Sequence, residues 1–120
     1  MEVQVFGVRK SSATRAALRF FADRRVKTHF VDFAVRGPSA GELRRFAERF
    51  GVDRLIDRES RAFADRGLHV ARYGADRWLE ILVDEPAILV MPLVRWKHQV
   101  SVGAAEPVWR EWVAKEKDPS

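Results

Sequence analysis

The chain opens with closely spaced apolar residues. Val3, Val5 and Val8, together with Phe6, form a short apolar run that leads into the loop at 7–10. Valine and phenylalanine pack well on the pleated surface of a sheet, so such a run is typical of a buried strand. We therefore predict a short strand that ends at this loop.

A helix is predicted directly after the loop. Ser11 or Ser12 supplies a natural N-cap, because a serine hydroxyl accepts a hydrogen bond from a free amide of the first turn. Apolar residues then recur at helical spacing as far as Phe21 and Ala22. We expect this helix to stop near residues 23–25.

A second strand and a second helix follow. The segment 26–35 alternates between apolar and polar residues, which predicts a strand parallel to the first. Ser39 and Glu42 fit a capping box, and apolar residues at helical spacing continue until Gly51 ends the helix. The first half of the chain is therefore predicted to be β-α-β-α.

The second half begins with short helical pieces. Helical periodicity recurs over about 52–84, which predicts an all-helical insertion. The β-branched segment 86–96 then predicts a strand interrupted by Pro92, and 99–103 pairs back against it as a hairpin. A last helix is predicted over Glu106–Lys115, and three of its residues are expected to pack inward: Trp109, Trp112 and Val113.

Length and composition indicate one globular domain. Hydrophobic residues make up 47% of the 120 residues and charged ones 32%. We predict a single domain over 1–117 and a short tail at 118–120. The longest apolar run, Pro86–Val94, is far shorter than the roughly 20 residues of a membrane span, and the N-terminus lacks the apolar core of a signal peptide. We expect a cytoplasmic protein that does not bind a membrane.

The net charge of +5 arises from 22 basic and 17 acidic residues. Basic and acidic side chains are interleaved, as in RRFAERF, rather than gathered into a basic stripe. This pattern favours a solvated, arginine-rich surface over direct nucleic-acid binding.

The absence of cysteine excludes several kinds of chemistry. Disulfides, cysteine-based metal sites and a thiol mechanism of the protein's own all require sulfur. The three histidines lack metal-ligand spacing, so we predict no metal site. An alcohol needs a neighbouring base to act as a nucleophile, and the loop before Ser11 offers none. A helix-capping role for Ser11 is therefore favoured over catalysis.

The predicted order of elements resembles the thioredoxin fold, and short landmarks narrow the resemblance to one family. These landmarks are FGVRKSSATRAAL, VDF with GPSAGEL, LIDRESRAF, MPLV and SVG. In this order and spacing they resemble the arsenate reductase (ArsC)/Spx/YffB family from Val3 to about Val113. The resemblance implies an α/β, thioredoxin-like fold: β-α-β-α, helical insertion and β-β-α, with a four-stranded mixed sheet.

The resemblance also implies a site. The family's loop carries Cys-x-x-x-Arg, whose cysteine position falls on Ser11 and whose arginine position falls on Arg15. A typically cis proline of the family falls on Pro92, and Arg58 is the only candidate for the arginine of the insertion. We expect an anion-binding pocket formed by Lys10, Ser11, Ser12, Arg15, Arg58 and Pro92, with Ser11 as a vestigial nucleophile position.

Two differences between this sequence and the family reductases argue against catalysis. Family reductases place an arginine immediately before the proline, whereas this chain has Val90 and the apolar Met91. The oxyanion-binding arginine of the last strand also lacks a clear counterpart near SVGAA. An apolar side chain cannot bind arsenate.

Two classes of function follow. The first is a non-catalytic binding or regulatory domain without a cofactor; Spx-type members imply a protein partner, RNA polymerase, and an action on transcription. The alternative is an arsenate reductase-like or glutathione-dependent oxidoreductase. In that case a small oxyanion or glutathione binds at the helix N-terminus and an external thiol performs the redox step.

Overall fold

The computed structural model describes residues 1–117, so the predicted tail at 118–120 lies outside the described residues. The chain divides into two compact units. The first unit contains residues 1–32 and the chain from Met91 onward, and the second contains Phe33–Val90. The five α-helices of the described residues are α1 (Ser12–Asp23), α2 (Ala40–Phe50), α3 (Arg61–Asp65), α4 (Ala75–Asp84) and α5 (Glu106–Lys117).

The first unit is built on a four-stranded mixed sheet. Its strands are β1 (Glu2–Gly7), β2 (Lys27–Asp32), β3 (Leu93–Trp96) and β4 (Gln99–Val102), in the order β2-β1-β3-β4. The pairing of β1 with β2 is parallel, whereas β3 is antiparallel to both β1 and β4. This architecture confirms the predicted fold class.

The core of the first unit lies between one face of the sheet and the helices α1 and α5. Alternate residues of β1 and β3 face it, as the two-residue period of a strand requires. Its buried members are Val3, Val5, Ala17, Phe20, Phe21, Val94, Trp96, Trp109, Trp112 and Val113. The predicted inward packing of α5 is therefore confirmed.

The second unit is helical. Short 3-10 turns at Val52–Leu55 and Leu68–Val70 accompany α2, α3 and α4. Its buried side chains include Leu43, Phe46, Leu55, Phe63, Trp78, Leu79, Ile81 and Leu82. Two backbone hydrogen bonds connect the middle of this unit to its C-terminal end, from the Val90 amide to the Leu55 carbonyl (2.8 Å) and from the Asp57 amide to the Ile88 carbonyl (2.7 Å).

The second strand is shorter than predicted. It spans Lys27–Asp32, whereas its alternating pattern continues to residue 35. The β1–β2 ladder ends where Gly7 is paired with Asp32, so the residues after Asp32 have no β1 residue to pair with. Strand length here is set by the partner rather than by propensity.

The predicted strand over 86–96 is largely wrong. Residues Pro86–Ile88 form a 3-10 turn, and Leu89 makes only an isolated bridge to Ile56. Continuous pairing begins at Leu93, directly after Pro92, which has no amide to donate to a ladder. Smaller differences are that β1 ends at Gly7, which leaves Val8 in the loop, and that α5 continues to Lys117. Across residues 1–117, every helix is too short or too polar to cross a membrane.

Candidate functional site

The candidate site begins at the N-terminus of α1. Ser11 is its N-cap: the backbone is extended, and Oγ accepts a hydrogen bond from the Thr14 amide at 3.1 Å. The Ser11 amide in turn donates to the Val8 carbonyl at 3.1 Å, which closes the loop on itself. The predicted cap is confirmed at Ser11, and Ser12 is the first helical residue.

Two amides remain free at this helix end. Within residues 1–117, the N–H groups of Ser12 and Ala13 have no hydrogen-bond partner. The first turn of α1 also contains no acidic side chain. Free amides and the positive end of the helix dipole stabilise negative charge, so an anion is favoured here.

Three cations flank this helix end without a carboxylate partner among the described residues. The Arg15 guanidinium donates to the Arg9 carbonyl at 2.7 Å, which fixes it against the loop. The Arg9 guanidinium lies over the ring of Phe30, 4.9 Å from its centroid, and is thus directed toward β2. Lys10 is exposed. Lys10 and Arg15 therefore remain available to an anion bound at the amides.

A close packing contact positions the first turn of α1 against β1. A Cβ added to Gly7 would lie 2.9 Å from the Thr14 Cγ2 and closer still to its Oγ1, so only glycine fits. Thr14 is fully buried, and its Oγ1 has no hydrogen-bond partner within the described part of the chain. This hydroxyl faces the β1 backbone and is not exposed to a ligand at the helix end.

Pro92 lies at the same end of the sheet as the loop. Phe6 is paired with Leu93 in the antiparallel β1–β3 ladder, and Pro92 immediately precedes that pair. Pro92 is buried, its peptide bond to Met91 is cis, and its carbonyl accepts from the Gly103 amide at 2.8 Å. The fold thus places Pro92 at the same end of the sheet as the loop and first helical turn that carry four other predicted residues: Lys10, Ser11, Ser12 and Arg15.

Arg58 belongs to the second unit. Its guanidinium is 3.5 Å from the Asp53 carboxylate and lies over the rings of Phe63 and Trp78, at 5.6 and 5.8 Å. These contacts account for its orientation within that unit. Its assignment to an anion pocket stays a prediction.

The histidines are separated in the structure. His29 Nε2 lies 3.1 Å from the Glu2 carboxylate, and the His69 ring packs edge-on against Phe63 at 4.9 Å between centroids. No three metal-ligating side chains gather anywhere in residues 1–117.

A second cluster of polar residues lies on the sheet of the first unit, and it was not identified from the sequence. Glu2, Gln4, His29, Arg95 and Lys97 line one concavity. The signal was present: in EVQVF the polar residues alternate with the buried valines. Pairing between strands, which places these positions side by side, was not available from the pattern alone.

Comparisons with known proteins identify the family and the fold of this chain. The model of the ArsC family matches residues 6–112. A solved structure titled YffB protein aligns with a TM-score of 0.83 and 17% identity, covering 91% of this chain and 96% of that one. The arsenate reductase from Vibrio cholerae aligns with a TM-score of 0.81 and 18% identity, covering 92% and 97%.

A third solved structure, an ArsC-related protein from Brucella melitensis, aligns with a TM-score of 0.69 and 18% identity, covering 94% of this chain and 95% of that one. No match was found among curated proteins. At such identities the structural matches establish a shared fold. The family model extends over most of the chain, and this chain therefore belongs to the ArsC family.

Proposed function

We propose that this chain is a non-catalytic binding domain that regulates a protein partner. One observation carries the proposal: in a chain without cysteine, the position that resembles the family's nucleophile is Ser11, and its Oγ caps α1 by accepting from the Thr14 amide. A hydroxyl in this role stabilises the helix end, and no thiol remains for redox chemistry.

The surroundings of Ser11 support a non-catalytic role. An alcohol becomes a useful nucleophile only beside a general base. Among residues 1–117, the hydrogen bonds of Ser11 go to backbone groups and none goes to a carboxylate or an imidazole. The residue before Pro92 is the apolar Met91, which offers no donor to an oxyanion.

RNA polymerase is the partner we propose, since the Spx-type resemblance implies it. In this proposal the chain acts in the cytoplasm and affects transcription by contacting the polymerase. Direct nucleic-acid binding is not part of the proposal. Several arginines are already paired with carboxylates of their own unit, including Arg36 with Glu42, Arg66 with Asp84 and Glu85, and Arg77 with Glu80. Such pairing reduces the charge available to phosphates.

The test is binding of the purified chain to purified RNA polymerase, measured by co-elution in size-exclusion chromatography and by a transcription assay. We expect a complex and a change in transcript yield. The same experiment with Arg15→Gln removes an exposed cation from the first turn of α1, and we expect a weaker complex. Absence of both complex and transcriptional effect at micromolar concentrations would contradict the proposed partner.

A second candidate is favoured by the free amides of Ser12 and Ala13 beside Lys10 and Arg15. In this function an oxyanion or glutathione binds at the helix end, and two external thiols reduce arsenate to arsenite, leaving as a disulfide with release of water. Ser11→Asp and Ser11→Asn separate the two candidates, because both retain a capping side chain but only aspartate repels an anion. Loss of arsenate reduction in Ser11→Asp, with its retention in Ser11→Asn, would support the enzyme.

A further inference from the structure

We propose that the sheet of the first unit carries a second ligand site, which binds a phosphate monoester. A concavity of about 400 Å³ is lined by Glu2, Val3, Gln4, His29, Arg95 and Lys97. Its volume lies within the roughly 300–1,000 Å³ typical of small-molecule sites. None of these lining residues belongs to the loop at α1, so this site is distinct from the helix N-terminus.

Strand register brings the polar side chains of the concavity together. Gln4 is directly opposite His29 in β2 and directly opposite Arg95 in β3. Residues that are directly opposite in neighbouring strands project from the same face of a sheet. Three adjacent strands therefore contribute a row of polar groups, on the face opposite to that on which Val3 and Val5 enter the core.

The one carboxylate of the concavity is already engaged. The Glu2 carboxylate is 3.1 Å from His29 Nε2 and 3.5 Å from Lys27 Nζ. The hydrogen bond with His29, together with the charge of Lys27, lowers the pKa of Glu2 below its ordinary value. Glu2 therefore stays charged and orients the imidazole, and its engaged oxygens offer little to a cationic ligand.

The arginine of the concavity is oriented but not neutralised. Arg95 Nε donates to the Lys97 carbonyl at 2.9 Å, and Arg95 is half-buried. Within residues 1–117 its guanidinium contacts no carboxylate, which leaves the N–H groups of both terminal nitrogens for a ligand. Lys97 also lines the concavity, but its ammonium is directed toward α5: Nζ lies 3.8 Å from the Glu116 carboxylate and 5.1 Å from the centroid of the Trp96 ring.

These donors suit a phosphate better than a carboxylate. The two terminal guanidinium nitrogens of Arg95 and the Gln4 amide offer more donors than the two oxygens of a carboxylate accept in one orientation. A phosphate monoester presents three acceptor oxygens and about −1.5 to −2 charges at neutral pH. The remaining volume of the concavity accommodates the organic part of the ester.

The test is a titration of the full chain with phenyl phosphate, in which NMR monitors the amide chemical shifts. We expect saturable shifts at Gln4, His29 and Arg95, and weaker binding of benzoate, which has the same ring with a carboxylate. Saturable shifts confined to residues 11–15, or non-saturating shifts spread over all basic residues, would overturn the proposal.

Variants locate the site independently. Arg95→Gln should weaken phenyl phosphate binding about tenfold, the loss expected for one charge-assisted pair. Gln4→Leu removes the amide that lies directly opposite His29 and Arg95, and it should also weaken binding.

The matched control is Arg110→Gln, which removes an arginine of α5 that is 3.4 Å from Glu106 and outside the concavity. It should bind phenyl phosphate like the unaltered chain. Equal losses of phenyl phosphate affinity in Arg110→Gln and in the two concavity variants would mean that binding does not depend on the concavity, and the proposal would fail. Circular dichroism checks the fold of each variant, and Gln4→Leu decides if Arg95→Gln does not fold.

Discussion

At the scale of single residues, the role of Ser11 is a capping role. We predict that Ser11→Ala lowers the free energy of unfolding by about 1 kcal/mol, because the Thr14 amide loses its acceptor. Ser11→Asn should change it little, since asparagine is an equally good cap. Urea denaturation measures both. The control is Ser12→Ala, which alters an exposed residue inside the helix; an equal loss there would contradict the assignment of the cap.

The same position reports on the electrostatics of the loop. We predict that the thiol of Ser11→Cys has a pKa below the roughly 8.5 of a free cysteine, because the free amides, Lys10 and Arg15 favour a thiolate. The pH dependence of its alkylation rate measures this pKa. Adding Arg15→Gln should raise it. An ordinary pKa in the single variant would mean that the helix end no longer stabilises an anion.

Thr14 offers a test of packing beneath the loop. Its buried Oγ1 has no hydrogen-bond partner among the described residues. Thr14→Val replaces this hydroxyl by a methyl group of similar size, and we predict that it raises the free energy of unfolding by about 1 kcal/mol. Gly7→Ala should lower it by about 1–3 kcal/mol, because the added Cβ meets Thr14. A destabilising Thr14→Val would show that Oγ1 has a partner.

At the scale of elements, one buried hydrogen bond joins β4 to α5. The indole Nε1 of Trp109 donates to Ser101 Oγ at 2.8 Å, and both residues are buried. We predict that Ser101→Ala lowers the free energy of unfolding by about 1–3 kcal/mol, because the indole N–H is left buried and unpaired. In a Trp109→Phe background the same substitution should cost much less. Equal costs in both backgrounds would show that the two side chains do not interact.

Helices were more predictable than strands, and the reason is local. The caps at Ser11 and Ser39 depend on residues within one turn, so the sequence pattern located the cap at Ser39 and narrowed the other to Ser11 or Ser12. Strand boundaries depend on a distant partner. The residues after Asp32 and the segment 86–92 have strand-like composition, but only Lys27–Asp32 and Leu93–Trp96 find continuous pairing.

At the scale of the whole molecule, the candidate site was predictable as far as it is contiguous in sequence. Four of its residues lie within one short segment, on the loop and the first turn of the capped helix: Lys10, Ser11, Ser12 and Arg15. The concavity at Arg95 was not predictable, because Gln4, His29 and Arg95 meet only through the register of three strands. This ArsC-family chain, which has no cysteine, thus has a positive helix end and a polar concavity elsewhere on the sheet of its first unit.

The central proposal is that this chain is non-catalytic and, in particular, does not reduce arsenate. The most direct measurement is arsenate reduction by the purified chain in the presence of glutathione and glutaredoxin, with Ser11→Ala as the matched variant. We predict arsenite formation at the rate of the protein-free mixture for both. Arsenite formation above that rate by the unaltered chain would contradict the proposal, and its loss in Ser11→Ala would assign the activity to Ser11.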